Sequence, residues 1–218
     1  MQKIFYWSLV AIAALLFGWL LLNFWMGGCA RSLPDVPPTT AETSTTTITT
    51  DVTTTTVFTG WRGVGSPGFS VGPASCLNLG FSGRTAYLAF RDAGSPVQGG
   101  ASLMKFNGAF WEYVGTNSRL SSGEVNDVSF CVSNGILYVG FRDIDNGNRE
   151  TVMKYDGSKW GFVGNPSFTS GIVNDPLLSV DNGTPYVAFN DADHDYKVTV
   201  MRFNGTSWET VGDPGFTG

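Results

Sequence analysis

Trp111-Glu-Tyr-Val114-Gly115, Trp160-Gly-Phe-Val163-Gly164 and Trp208-Glu-Thr-Val211-Gly212 are three copies of one phrase, and a fourth copy reads Trp61-Arg-Gly-Val64-Gly65. The four tryptophans stand 50, 49 and 48 residues apart. Other landmarks keep step with them. Gly72, Gly123 and Gly171 each lie 15 residues before a tyrosine that opens Tyr87-Leu-Ala-Phe-Arg-Asp92, Tyr138-Val-Gly-Phe-Arg-Asp143 or Tyr186-Val-Ala-Phe-Asn-Asp191. Met104-Lys-Phe-Asn-Gly108, Met153-Lys-Tyr-Asp-Gly157 and Met201-Arg-Phe-Asn-Gly205 each end three residues before the next tryptophan. Self-similarity at a fixed period of this length is the signature of a repeat architecture.

The physical content of one repeat is β. Tyr-Val-Ala-Phe is a short apolar run of strong strand formers, as in a strand buried on both faces. Met-Lys-Phe alternates, and the Asn-Gly or Asp-Gly that follows tolerates the positive φ of a hairpin turn leading into the Trp strand. Four strands are expected in the second repeat, at about 127–132, 137–142, 151–155 and 160–163. A four-stranded antiparallel sheet of this size is a propeller blade. The expected fold class is therefore all-β: three complete four-stranded blades plus the start of a fourth, after one N-terminal transmembrane or signal helix. The repeats divide as about 61–110, 111–159, 160–207 and a partial 208–218 within a domain of 59–218.

These phrases resemble the extracellular β-propeller repeats of bacterial and archaeal surface proteins, of the form Trp-x-x-Val-Gly … Tyr-Val-Ala-Phe-x-Asp … Phe-Asn-Gly, over Val57 to Gly218. The resemblance implies architecture and no particular activity. The Gly-Gly doublet of kelch blades occurs once only, at Gly99-Gly100, and the Gly-His and Trp-Asp marks of WD40 blades do not recur. Closed propellers have about 4–8 blades. Three repeats leave apolar faces open, so a truncated reading frame is expected ahead of self-association through open blade edges.

Outside the repeats, Ile4 to Met26 is a 23-residue run without a charge, preceded by Lys3 and followed by Arg31. About 20 apolar residues cross a bilayer as a helix. Met26-Gly27-Gly28-Cys29 also resembles a lipobox, with Cys29 as the lipidated thiol. Residues 1–31 are thus a transmembrane anchor or a lipoprotein signal, and either places the remainder on the outer side of the cell membrane. Residues 32–58, with Pro34, Pro37, Pro38 and the Thr39–Thr56 tract, compose a linker: a glycosylated stalk or a bare tether.

The formal net charge of −5 and only 14% charged residues argue against nucleic acid, which needs a basic patch. Cys76 and Cys131 are either buried small residues or one disulfide in an oxidising compartment. Asp92, Asp143 and Asp191 end a strand in every copy and read first as turn residues that accept neighbouring N–H groups. Asp191-Ala-Asp193-His-Asp195 has the spacing that opens a calcium loop, but lacks the turn glycine and the distal glutamate, so calcium is a weak candidate and no other cofactor is implied. His194, the only histidine, falls in the same turn. No nucleophile elbow, His-Glu-x-x-His or phosphate loop is present.

The expected function is a non-enzymatic binding or adhesion module for carbohydrate or protein, with specificity in the variable segments 93–101, 144–150 and 192–197. Two alternatives stand beside it. One is an envelope-side glycan hydrolase or lyase with further blades, since paired carboxylates come from the fold rather than from spacing. The other is a self-associating spacer.

Overall fold

A computed structural model describes residues 44–48, 55–94, 99–116 and 118–217. The apolar segment 4–26 and Cys29 lie outside the described residues, as does most of the 32–58 linker. Among the described residues no helix is long and apolar enough to cross a membrane. Two pieces of the Thr-rich linker pair with each other: β1(Ser44–Ile48) and β2(Thr55–Thr59) form an antiparallel ladder.

The repeats fold as three four-stranded antiparallel sheets, each in simple sequential order. The first holds β3(Ala74–Ser82), β4(Thr85–Asp92), β5(Gly100–Phe106) and β6(Trp111–Tyr113). The second holds β7(Val125–Ser133), β8(Ile136–Asp143), β9(Arg149–Tyr155) and β10(Trp160–Phe162). The third holds β11(Val173–Asp181), β12(Thr184–Asp191), β13(Lys197–Phe203) and β14(Trp208–Thr210). These are propeller blades. Their first strands lie side by side, β3 against β7 and β7 against β11, so each is the inner strand of its blade.

The turn before each tryptophan is built as its composition demands. The Asn107 carboxamide oxygen accepts the N–H groups of Ala109 and Phe110. Asp156 does the same for Ser158 and Lys159, and Asn204 for Thr206 and Ser207. The tryptophan that follows is the last strand of its own sheet, with Phe106 opposite Trp111, Tyr155 opposite Trp160 and Phe203 opposite Trp208. This corrects the division of the chain at each tryptophan. Trp208 completes the third blade rather than opening a fourth, and the unmatched element is the Trp61 segment ahead of the first blade.

Neighbouring blades are joined in two ways. Each tryptophan indole donates to the valine carbonyl of the preceding phrase: Trp111 to Val64 at 2.9 Å, Trp160 to Val114 at 3.0 Å and Trp208 to Val163 at 2.8 Å. Between the sheets, Leu103 and Val114 of the first blade pack on Val128, Phe130, Val139 and Phe141 of the second. Tyr138, Val152 and Val163 of the second pack on Leu178, Val187 and Phe189 of the third. The Phe130 ring rests on Gly80, where a Cβ would come within 2.6 Å of it. Burying such side chains contributes about 1.5–3 kcal/mol each, and it is this area that holds one sheet against the next.

Candidate functional site

Every inner strand carries a bulge near its start, between Ser75 and Asn78, Asn126 and Ser129, and Asn174 and Leu177. The bulged residues Cys76, Asp127 and Asp175 have φ of 52°, 49° and 49°. A left-handed residue in a bulge re-aims its side chain. All three sit at the end of the sheet where β4, β8 and β12 finish and β5, β9 and β13 begin, which is also the end that bears the variable loops.

At this end the second blade departs from the other two. Its ladder places Arg142 directly opposite Glu150, where the first blade has Arg91 opposite Ala101 and the third Asn190 opposite Val198. Next to them Ser129 pairs with Gly140, against Asn78 with Ala89 and Leu177 with Ala188. The glycine makes room for the acid: a Cβ on Gly140 would lie 2.7 Å from Glu150 Oε1 and 2.9 Å from Ser129 Oγ. Arg142 Nε is 3.0 Å from Asp127 Oδ2, an ion pair with side chains 11% and 6% exposed. The Arg142 Nη1 donates across the junction to Asn174 Oδ1 of the third blade at 2.7 Å. Asp127, Arg142 and Glu150 thus form one enclosed cluster between the second and third blades.

Glu150 is fully buried, and neither of its carboxyl oxygens has a hydrogen-bond partner. Desolvation, then the negative charge of Asp127, pushes its pKa well above the usual glutamate range, and Arg142 offsets only part of this. The protonated form of the carboxyl is thereby favoured, beside an Asp127 that is ion-paired with Arg142. Two neighbouring carboxyls, one with a raised pKa, are an arrangement that general acid–base chemistry uses.

Two grooves flank the same junction. One, of about 390 Å³, is walled by Arg149, Asn165, Ser167, Phe168, Thr169 and Trp208. Its loop is tied to the acid strand, since Phe168 N–H donates to the Glu150 carbonyl at 2.9 Å and Glu150 N–H to Thr169 Oγ1 at 3.2 Å. Phe168 stacks on Trp208 with ring centroids 4.1 Å apart. The other, of about 580 Å³ at the opposite end of the blades, is lined by Tyr138, Lys154, Tyr186, Arg202, Phe203 and Asn204 among others.

The strand-ending aspartates serve their own turns. Asp92 accepts Gly94 N–H and the Tyr113 hydroxyl, and burial with the nearby Asp92 charge lifts that phenol to about 12. Asp143 accepts the Asn146 backbone N–H and carboxamide. Asp191 accepts Asp193 N–H and Thr199 Oγ1 and lies 2.9 Å from His194 Nδ1. The calcium spacing is not drawn together: Asp191 caps the 3-10 turn Ala192–His194, Asp193 turns back to Ser170, and Asp195 occupies the left-handed region. Among the described residues no three His, Cys, Asp or Glu side chains gather as a metal site. Cys76 and Cys131 are both free, and burial pushes the Cys131 thiol up to about 11.

Sequence reasoning passed over Asp127, Arg142 and Glu150 as a group. The available signal was departure from the repeat: at the Glu150 position the other copies have Ala101 and Val198, and at the Gly140 position Ala89 and Ala188.

No family model and no curated protein matches the sequence. Solved structures do match the fold. A family 117 glycoside hydrolase from Zobellia galactanivorans is 12% identical with a TM-score of 0.47, over 79% of this chain and 61% of that one. A thermostable family-43 glycoside hydrolase is 16% identical with a TM-score of 0.43, over 65% and 51%. An endo-1,4-beta-xylanase from Bacteroides thetaiotaomicron is 14% identical with a TM-score of 0.44, over 69% and 58%. The chain thus spans about half to three-fifths of the length of these proteins. The expectation of a non-enzyme is corrected here: the similar structures named above are described as two glycoside hydrolases and an endo-1,4-beta-xylanase.

Proposed function

We propose that this chain is the membrane-tethered, outward-facing part of a glycan hydrolase, with Glu150 as proton donor and Asp127 as the charged carboxyl. The observation that carries the reading is the enclosed acid pair, built in the second blade alone. In this proposal Glu150 gives its proton to the glycosidic oxygen as the C–O bond breaks. Water adds to the anomeric carbon and its proton passes to Asp127. Arg142 holds Asp127 in place. The groove of Arg149, Asn165, Phe168 and Trp208 supplies aromatic faces and polar edges for sugar rings. Glu150 is enclosed by the third blade, so the reading requires the junction to part beside Asn174 for the glycan to reach it.

The test is release of reducing ends from a panel of neutral and acidic polysaccharides by the full chain and by Glu150→Gln and Asp127→Asn. The expected result is cleavage by the parent and a fall of at least about 100-fold in each variant, with folded structure retained by circular dichroism. Cleavage unchanged in Glu150→Gln, or no polysaccharide cleaved, would sink the proposal.

A further inference from the structure

The groove of about 580 Å³ at the other end of the second junction takes no part in the hydrolase reading, and the repeat is broken there in two ways. In every blade a tyrosine of the second strand stands opposite a cation of the third: Tyr87 with Lys105, Tyr138 with Lys154 and Tyr186 with Arg202. The outer strand then sets one residue opposite that cation. In the first blade it is Glu112, 3.2 Å from Lys105 Nζ, and in the third it is Glu209, 2.8 Å from Arg202 Nε. In the second blade it is Gly161. Lys154 therefore lacks the carboxylate that its counterparts have, and it pairs with no other acid among the described residues. The second break lies across the junction. Phe130 of the second blade brings its ring to Tyr87 of the first, with centroids 6.0 Å apart. The same inner-strand position in the third blade is Leu178, opposite Val187 as Phe130 is opposite Val139. The smaller side chain leaves Tyr138 lining a groove where Tyr87 meets a ring.

We infer that this groove is a second, non-catalytic glycan site that takes a uronate-bearing saccharide, with the sugar carboxylate on Lys154 and the ring beside Tyr138. Lys154 and Tyr138 come from the second blade, and Thr184, Tyr186 and Asn204 of the third blade complete the lining. Arg202 lines it too, but Glu209 neutralises that charge. One unneutralised ammonium matches one carboxylate through a charge-assisted hydrogen bond. A phosphate or a nucleotide calls for several cations or a cradle of backbone N–H groups. The volume lies in the ordinary range for ligand clefts, about 300–1,000 Å³. Aromatic side chains with neutral polar neighbours suit the faces and hydroxyls of sugar rings. The positive groove stands on a chain of net charge −5, so the local charge departs in sign from that of the whole.

The probe is trigalacturonate, titrated by calorimetry into the full chain in detergent. Glu150→Gln is present throughout, so that no cleavage enters the heat. Saturable binding is expected, and Lys154→Ala weakens it at least about tenfold. The methyl-esterified trisaccharide, which keeps the rings and loses the charge, binds weaker by the same factor. Gly161→Glu restores the acid of the other two blades, at a position where an added Cβ meets nothing within 4 Å. It is expected to weaken binding as much as Lys154→Ala, whereas Gly161→Gln, of equal size and no charge, leaves binding intact. Circular dichroism checks that each variant keeps its sheets. Absence of saturable binding, equal binding of the methyl ester, binding indifferent to Lys154→Ala, or Gly161→Gln as damaging as Gly161→Glu would overturn the inference. None of these contacts involves Glu150 or Asp127, so its failure is separate from failure of the hydrolase reading.

Discussion

Glu150 carries a pH dependence of known sign. Its pKa is raised on folding, so the folded state holds a proton that the unfolded chain loses above about pH 4.3. The unfolded state then binds fewer protons, and stability falls as pH rises from about 4.3 toward the folded pKa. Glu150→Gln removes this slope. The variant is expected to match the parent near pH 4 and to melt higher at pH 8; equal pH profiles in denaturant titrations would contradict the assignment. Gly140→Ala drives a Cβ into the Glu150 carboxyl and is expected to cost about 1–3 kcal/mol. Combined with Glu150→Val it recreates the alanine and valine that the third blade has at Ala188 and Val198. The double variant should regain most of that loss, which a double-mutant cycle of unfolding free energies measures.

Among the elements, the Trp strands separate structural from exposed copies of one phrase. Trp160 donates to Val114 across a blade junction and packs on Tyr155 with ring centroids 5.2 Å apart. Trp160→Ala is expected to cost about 3 kcal/mol, the low end for loss of a large aromatic. Trp61→Ala, at a 98% exposed ring, is expected to stay within about 0.5 kcal/mol. Urea midpoints of the two variants check this, and equal losses would refute the different roles given to the two residues.

The strands themselves were legible because repetition averages out local ambiguity. The second blade was expected at about 127–132, 137–142, 151–155 and 160–163, and is found at Val125–Ser133, Ile136–Asp143, Arg149–Tyr155 and Trp160–Phe162. The division into repeats was less legible, since cutting the chain at 111 and 160 disagreed with a strand reading that already ended the second blade at 160–163. A periodic sequence does not mark where one sheet stops, and only the hydrogen bonds of Phe106 to Trp111 show that tryptophan ends a blade. The acid cluster was hidden for the opposite reason. Attention to what recurs selects Asp92, Asp143 and Asp191, which bond their own turns, whereas Asp127, Gly140 and Glu150 matter because they do not recur.

At the scale of the molecule, the blades are held by apolar faces, and the polar cluster interrupts one of them. Phe130, seated on Gly80 between the first two blades, is the test of the apolar half: Phe130→Ala is expected to cost about 3–5 kcal/mol. The chemical half rests on the buried Glu150 carboxyl, its pKa raised, beside Asp127 at the second junction. The most direct measurement is the infrared difference spectrum between the parent chain and Glu150→Gln at pH 7. The account predicts a protonated-carboxyl C=O band in the parent that the variant lacks, persisting above the usual glutamate range. A carboxylate band alone at pH 7 would show Glu150 ionised, and the acid pair, with the hydrolase reading built on it, would be wrong.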